Sequence, residues 1–173
     1  MLKIITLCFL AFIFIEPNKA ESFIMNPSTS QIQTIDFILI EKSRRKMHVY
    51  HRDVLLKTYS IALGFNPQGA KERMGDGKTP EGIYAITVKN AQSAYHRSLG
   101  LSYPNAADAA RAKKLGVNPG GHIMIHGLRN DLAWLGPVHT FMDWTQGCIA
   151  VSNPEIEEIF EATSIGTRVE IRP

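Results

Sequence analysis

Short stretches in which apolar and polar residues alternate recur between Ile35 and Ile171, and turn residues separate them. A period of two is typical of β-strands that bury one face. Segments 36–40 and 46–50 flank Lys42-Ser43-Arg44-Arg45, which predicts a β-hairpin with a solvated basic turn. Further strands are expected at 54–63, 83–88, 122–126 and 168–171.

Two helices interrupt these strands. The first is predicted over 104–115, with Asn105 as its cap and Gly116 closing it. The second follows Val151, with Asn153 as the cap and Pro154 at the first helical position. The pattern therefore predicts a mainly β domain, a β-sandwich or small mixed barrel, with two inserted helices.

The first residues differ from the rest of the chain. Lys3 precedes the uncharged apolar run 4–15, and Ala20 offers a small residue for cleavage. That length fits a secretory signal better than a membrane-spanning helix. We predict a signal peptide or N-terminal anchor at 1–20, a linker at 21–34 and one domain at 35–173, which we expect to be catalytic. The protein is expected in the periplasm or cell envelope, and it would touch a membrane only through 1–20, if they stay uncleaved.

The charge and the glycine loops exclude some functions. A formal net charge of +3 among 173 residues does not predict nucleic-acid binding. The loop from Gly75 to Gly82 holds three glycines but lacks the spacing of a phosphate-binding loop.

Cys148 is the one cysteine that remains once Cys8, inside the apolar run, is set aside. A single cysteine in an exported domain indicates a reactive thiol, an intermolecular bridge or a buried small side chain. A thiol attacks carbonyls as a thiolate, so a catalytic cysteine needs a base that accepts its proton.

His126 is the best candidate for that base among six histidines. On a strand, His122, Met124 and His126 would share one face, and His126 would lie where the strand ends at Gly127. The backbone amides of Gly147 and Cys148 could form an oxyanion hole.

His126-Gly127 followed by Thr145-Gln146-Gly147-Cys148-Ile149 resembles the signature of the L,D-transpeptidase catalytic domain of the YkuD type. The segments Thr79-Pro80-Glu81-Gly82 and 166–171 are similar to other parts of that family, so the resemblance covers about residues 35–173. Gln146 and Ala150 depart from it, because the family commonly has a second histidine and a polar or basic residue there.

The resemblance implies a mainly β fold of the L,D-transpeptidase type and an acyl transfer on peptidoglycan stem peptides. Cys148 would be the nucleophile, His126 the general base and acid, and the Gly127 carbonyl the group that orients the imidazole. Thr145 would support the thiol. The acceptor would be an amine of another stem, an envelope protein or water. No metal and no organic cofactor is implied.

Several alternatives stay open. A hydrolase with water as acceptor would be an L,D-carboxypeptidase, and an unreactive Cys148 would indicate a non-catalytic envelope-binding module. A metal hydrolase lacks the helical His-Glu-x-x-His motif, because Ile123 follows His122. Of the aromatic residues that could line a cleft, Trp144 is the best candidate, since it lies four residues before Cys148.

Overall fold

The structure is a computed structural model that describes residues 34–173. The predicted signal peptide or anchor, and all of the predicted linker except Thr34, lie outside the described residues. Within 34–173, no helix is long and apolar enough to span a membrane.

The described chain is mainly β-structure, as predicted. Eight strands form one sheet: β1 (Ile35–Glu41), β2 (Lys46–His51), β3 (Val54–Ser60), β4 (Gly82–Ser93), β5 (His96–Leu101), β6 (Met124–His126), β7 (Ile149–Ala150) and β8 (Thr163–Arg172). Their order across the sheet is β3-β2-β1-β8-β4-β5-β6-β7. The pairs β1–β8 and β6–β7 are parallel, and the other neighbours are antiparallel.

The sheet curls into a half-barrel, and backbone bridges link the chain segments at its two edges. β3 and β7 are at opposite edges of the strand order, yet Ala62, just after β3, bridges Ala150 in β7. Their backbones exchange two hydrogen bonds, of 3.0 and 2.9 Å. Gly64 makes a second bridge to Thr145. The chain that carries Cys148 is therefore held from both sides by backbone hydrogen bonds.

The core follows the period of two that the sequence shows. Alternate residues of neighbouring strands are fully buried, among them Ile38, Ile40, Met47, Val49, Ile86 and Val169. A helix, α2 (Asn153–Ala162), adds Ile156, Ile159 and Phe160, which recur at helical spacing. Burial of these side chains is the main force that holds the curled sheet together.

The other helix, α1 (Ala106–Leu115), matches the sequence prediction except that it begins two residues later. Asn105 Oδ1 accepts the Asp108 amide at 3.0 Å, and Asp108 Oδ2 accepts the Asn105 amide at 3.1 Å. Gly116 ends the helix in the left-handed region, with φ 67°.

The predicted cap of α2 is wrong. Ser152, not Asn153, is the cap, because its amide and hydroxyl both donate to Glu155 Oε2, at 2.8 and 2.6 Å. Both Ser152 and Asn153 are residue types that cap helices well, so the local sequence does not separate them.

Three further features differ from the prediction. The strand expected at 122–126 begins only at Met124, because His122 has a φ of 55°, so His122 does not share a strand face with His126. The sequence pattern did not predict β5, whose last four residues are all buried and therefore show no alternation. It also missed a 3-10 segment, Asn130–Phe141.

Candidate active site

The predicted base ends β6, and the predicted nucleophile directly precedes its neighbour β7. The two strands run parallel, with Ile125 beside Ile149 and His126 beside Ala150. Cys148 lies one residue before β7 and two before Ala150, so strand alternation carried back to Cys148 would put its side chain on the His126 side of the sheet.

The His126 ring is held in one orientation. Its Nδ1–H donates to the carbonyl oxygen of Gly127 at 2.7 Å. Because a carbonyl only accepts, this bond fixes the proton on Nδ1 and leaves Nε2 as the acceptor. This is the contact that the family resemblance implies for Gly127.

The turn after His126 is packed too tightly for a side chain. A Cβ at Gly127 would lie 2.7 Å from Asn153 Oδ1 and 2.9 Å from Ile156 Cγ2. The same Asn153 oxygen accepts the Leu128 amide at 2.8 Å. Asn153 therefore anchors the turn that orients His126, although the sequence suggested only a helix cap.

Aromatic rings surround the imidazole. The Tyr95 ring lies 4.6 Å from the His126 ring and the Trp144 ring 5.8 Å, measured between centroids. His126 is 4% exposed. Burial lowers its pKa to about 4, although the hydrogen bond to Gly127 acts in the opposite direction. Trp144, predicted to contact substrate, thus contacts the candidate base.

The thiol of Cys148 is half-buried, and its Sγ donates to the carbonyl oxygen of His122 at 3.5 Å. Burial raises the pKa of this thiol. A raised thiol pKa and a lowered imidazole pKa both favour the neutral forms. The resting pair is therefore thiol and imidazole, not thiolate and imidazolium.

A cleft opens beside Cys148, and small residues form much of its wall. Gly75, Gly120 and Gly121 line it together with His122 and Gln146. Gly121 has open space around it, since a Cβ there would meet no atom within 4 Å. A peptide backbone could therefore approach Cys148 closely from this side.

Thr145 and Gly147 shape the turn that presents Cys148. The Thr145 hydroxyl donates to the Cys148 carbonyl at 2.8 Å and accepts the Gly147 amide at 3.1 Å. This differs from the expectation of two free amides, because the Gly147 amide is already bonded. Gly147 has a φ of 129°, and a Cβ there would lie 2.6 Å from the Lys78 carbonyl oxygen. Only glycine fits this position.

The β1–β2 turn was predicted to be a solvated basic turn, and for Lys42 that prediction is wrong. Lys42 is 2% exposed. Its ammonium donates to the carbonyls of Gly69 and Thr79, at 2.7 and 3.0 Å, and to Glu81 at 2.7 Å. These partners are 27 to 39 residues away, so no local pattern could reveal them. Lys42 thus holds the loop between Gly69 and Thr79, which lines the cleft.

Arg45 fixes the segment that leads to Cys148, through Asp143. Its guanidinium donates to Asp143 Oδ2 at 2.8 and 3.2 Å. The other oxygen of Asp143 accepts the Leu63 amide at 2.9 Å. The chain leading to Cys148 is therefore attached to the sheet by side chains as well as by backbone.

The 3-10 segment lies on the His126 side. Together with Leu128 and Trp144, the segment, including its His139, lines an apolar pocket that is separate from the Cys148 cleft. Its outer surface exposes large apolar side chains, with Trp134 78% and Phe141 86% exposed.

Comparison with known proteins gives a consistent result. The family model of the YkuD type, the L,D-transpeptidase catalytic domain, matches residues 35–171. YafK of Escherichia coli (strain K12), whose name places it with the L,D-transpeptidases, is 30% identical over 131 residues, which are 72% of this chain and 46% of YafK. YqjB of Bacillus subtilis (strain 168), with a name of the same kind, is 26% identical over 77% of this chain and 69% of its own length.

Solved structures share the fold. The helical cell shape determining protein Pgp2 of Campylobacter jejuni superposes with a TM-score of 0.61 at 26% identity, covering 82% of this chain and 51% of Pgp2. An L,D-transpeptidase of Mycobacterium smegmatis superposes with a TM-score of 0.53 at 11% identity, covering 79% and 58%. The chain spans about half the length of YafK and Pgp2. From the family match over 35–171, this chain belongs to the L,D-transpeptidase catalytic domain family of the YkuD type.

Proposed function

We propose that this protein is an exported cysteine acyltransferase that acts on the stem peptides of peptidoglycan. Cys148 attacks the carbonyl of the third residue of a tetrapeptide stem and releases the terminal D-alanine. The acyl group then passes to an amine of another stem or of an envelope protein. Membership of the L,D-transpeptidase family supports this substrate class.

One observation carries the proposal. His126 ends β6 and Cys148 directly precedes the adjacent strand β7, and the Gly127 carbonyl holds the His126 ring with Nε2 unprotonated. A general base needs a fixed, unprotonated nitrogen near the proton that it removes. Its lowered pKa keeps His126 unprotonated at neutral pH.

The geometry supports a mechanism in which proton transfer accompanies attack. Nε2 of His126 takes the thiol proton while Sγ bonds to the substrate carbonyl, and the imidazolium returns that proton to the departing D-alanine amine. The developing oxyanion lies near the Cys148 amide. In the described structure, this amide makes none of the backbone hydrogen bonds that lie outside the helices and strands. Attack by the acceptor on the thioester then restores the thiol.

The place of action follows from the same reasoning. The apolar run at 4–15 supports export, and the peptidoglycan substrate lies in the periplasm or cell envelope. Pgp2 is described as a determinant of helical cell shape, and we extend a role in cell-wall shape to this protein.

The test is mass spectrometry of the full chain after incubation with tetrapeptide muropeptides, reading both the products and the intact protein. We expect an acyl adduct on Cys148 and cross-linked or D-alanine-exchanged products. In the Cys148→Ala variant, both should disappear while circular dichroism stays unchanged.

The other outcomes separate the alternatives. Loss of D-alanine without cross-links would make the protein an L,D-carboxypeptidase that uses water. No adduct and no product, with a reduced thiol and a substrate that a known L,D-transpeptidase consumes, would contradict catalysis and favour an envelope-binding module.

A further inference from the structure

Lys71 is a buried lysine in the wall of the Cys148 cleft, and neither the sequence pattern nor the mechanism above uses it. Its side chain is 3% exposed. Among the residues that line the cleft, it is the only one with a permanent charge, since the others are glycines, apolar residues, Gln146, His122 and Cys148 itself.

The Lys71 ammonium has one hydrogen-bond donor to spare. It donates to Asp76 Oδ1 at 2.7 Å and to the Arg73 carbonyl at 3.0 Å. An ammonium carries three N–H donors, so two are used in the described structure and the third remains for a ligand. A buried cation is costly unless it is well paired, which makes a further anionic partner favourable.

Asp76 does not depend on Lys71 for its position. Its two oxygens also accept the amides of Glu72, Arg73 and Lys78, at 2.9 to 3.1 Å. Together with Lys71 these bonds lower the pKa of Asp76 to about 2, against the effect of burial. The loop thus has its own anchor, and the Lys71 charge is not needed merely to hold it together.

Among the described residues, no other lysine or arginine lines the cleft beside the thiol. Ala150, where related domains often carry a polar or basic residue, is fully buried in β7. The positive charge of Lys71 reaches Cys148, since it opposes the rise in thiol pKa that burial causes.

We propose that Lys71 is the carboxylate-binding residue of the cleft, which holds the terminal carboxylate of the stem peptide beside Cys148. The inference rests on the proposed function for its ligand. The leaving D-alanine carries a free carboxylate next to the bond that breaks, so a fixed cation in the same cleft sets the register of the peptide. A charge-assisted hydrogen bond of this kind is among the stronger polar contacts in proteins.

The effect of the Lys71 charge on the cleft can be tested by an alkylation experiment that needs no enzymatic turnover. The full chain is alkylated at one fixed pH with iodoacetate, which is anionic, and with iodoacetamide, which is neutral. Peptide mass spectrometry follows Cys148 separately from Cys8. The ratio of the two rates reports the local charge and cancels changes in thiol reactivity that affect both reagents equally.

Lys71→Met should lower the iodoacetate to iodoacetamide ratio about fivefold, the size expected for one nearby charge in a partly screened site. Lys71→Arg should keep it within about twofold, because Arg retains the charge. Asp76→Asn should raise it. Lys113→Met, an exposed change on α1 with the same charge difference, is the control and should leave it unchanged. An equal ratio in all variants would overturn the proposal.

The ligand is tested by calorimetric binding in a Cys148→Ala background, which does not turn over. The probes are a tetrapeptide stem and the same stem with a C-terminal amide. The carboxylate form should bind about tenfold more tightly than the amide, and Lys71→Met should remove that preference. Equal loss of affinity for both probes, or no preference in the parent, would overturn carboxylate binding. Failure of the proposed function would appear separately, as absence of turnover in the protein with Cys148 intact.

Discussion

Around His126 the protein packs aromatic rings and a glycine with no room for a side chain, whereas the cleft beside Cys148 is lined by one buried lysine and by glycines, of which Gly75 and Gly121 have open space around them. The imidazole lies against Tyr95 and Trp144. The thiol faces a cleft lined by Gly121 and Lys71. The His126 imidazole is therefore fixed and kept neutral by burial, while the Cys148 thiol faces a cleft that a polar ligand could enter.

This contrast has a chemical consequence. Each group is displaced toward its neutral form, and burial is the largest cause in both cases. A site built this way does not store a reactive thiolate. In the proposed mechanism the thiol proton leaves only when a substrate carbonyl is in place, which also limits oxidation of the thiolate.

The largest effect should come from removing the base. His126→Ala is expected to lower turnover about 10²- to 10⁴-fold, the usual range for a general acid–base group. Alkylation of Cys148 by iodoacetamide should show no plateau near neutral pH in the parent protein, and its pH profile should change little in the variant. Rates are measured between pH 5 and 10, with His51→Ala as the control. A neutral plateau that vanishes in His126→Ala would instead indicate a resting ion pair.

The stability of the protein in acid measures how strongly the aromatic surroundings of His126 oppose protonation of its ring. The folded pKa of His126 is about 4, below its ordinary value of 6.5, so between these values the unfolded chain binds the proton and the folded one does not. Stability should be full above pH 6.5 and should fall as the pH drops toward 4, by up to about 3 kcal/mol.

His126→Asn provides the comparison, because its amide can still donate to the Gly127 carbonyl and does not titrate. Urea unfolding at pH 7 and at pH 4.5 should show a smaller difference for the variant than for the parent. An equal loss of stability in both proteins would mean that His126 is not the group responsible.

A matched pair of glycines tests the packing difference. Gly127→Ala should cost about 1–3 kcal/mol, because its Cβ would overlap Asn153 and Ile156. Gly121→Ala should stay within about 0.5 kcal/mol, because its Cβ meets nothing within 4 Å. Chemical denaturation of both variants measures the difference. Similar losses in the free energy of unfolding would show that the surroundings of His126 and of Cys148 do not differ in packing.

The smallest effect is expected at the anchor of the His126 turn. Asn153→Ala leaves the Leu128 amide without its partner at 2.8 Å, which should cost about 1 kcal/mol. Turnover should fall together with stability if this turn aligns the imidazole. Asn118→Ala, which removes a short-range bond to Gly120 in an exposed turn, is the control. A loss no greater than that of the control would show that the anchor is not needed.

Local patterns in the sequence determined much of this protein. Alternating residues predicted β1, β2 and β8, and Asn105 with Gly116 predicted both ends of α1, because strands, turns and caps depend on neighbours a few residues away. The motifs at His126-Gly127 and around Cys148 also led to the family, which the match over 35–171 confirms.

Only the tertiary structure decided how the site is held and charged. The partners of Lys42 are 27 to 39 residues away, and Arg45 reaches Asp143 across 98 residues. The burial of Lys71 in the cleft wall and the packing of Tyr95 against His126 likewise depend on loops that meet because the sheet curls. A residue's own sequence context does not encode such contacts, since burial and charge pairing are set by whichever distant segments the folded chain brings together.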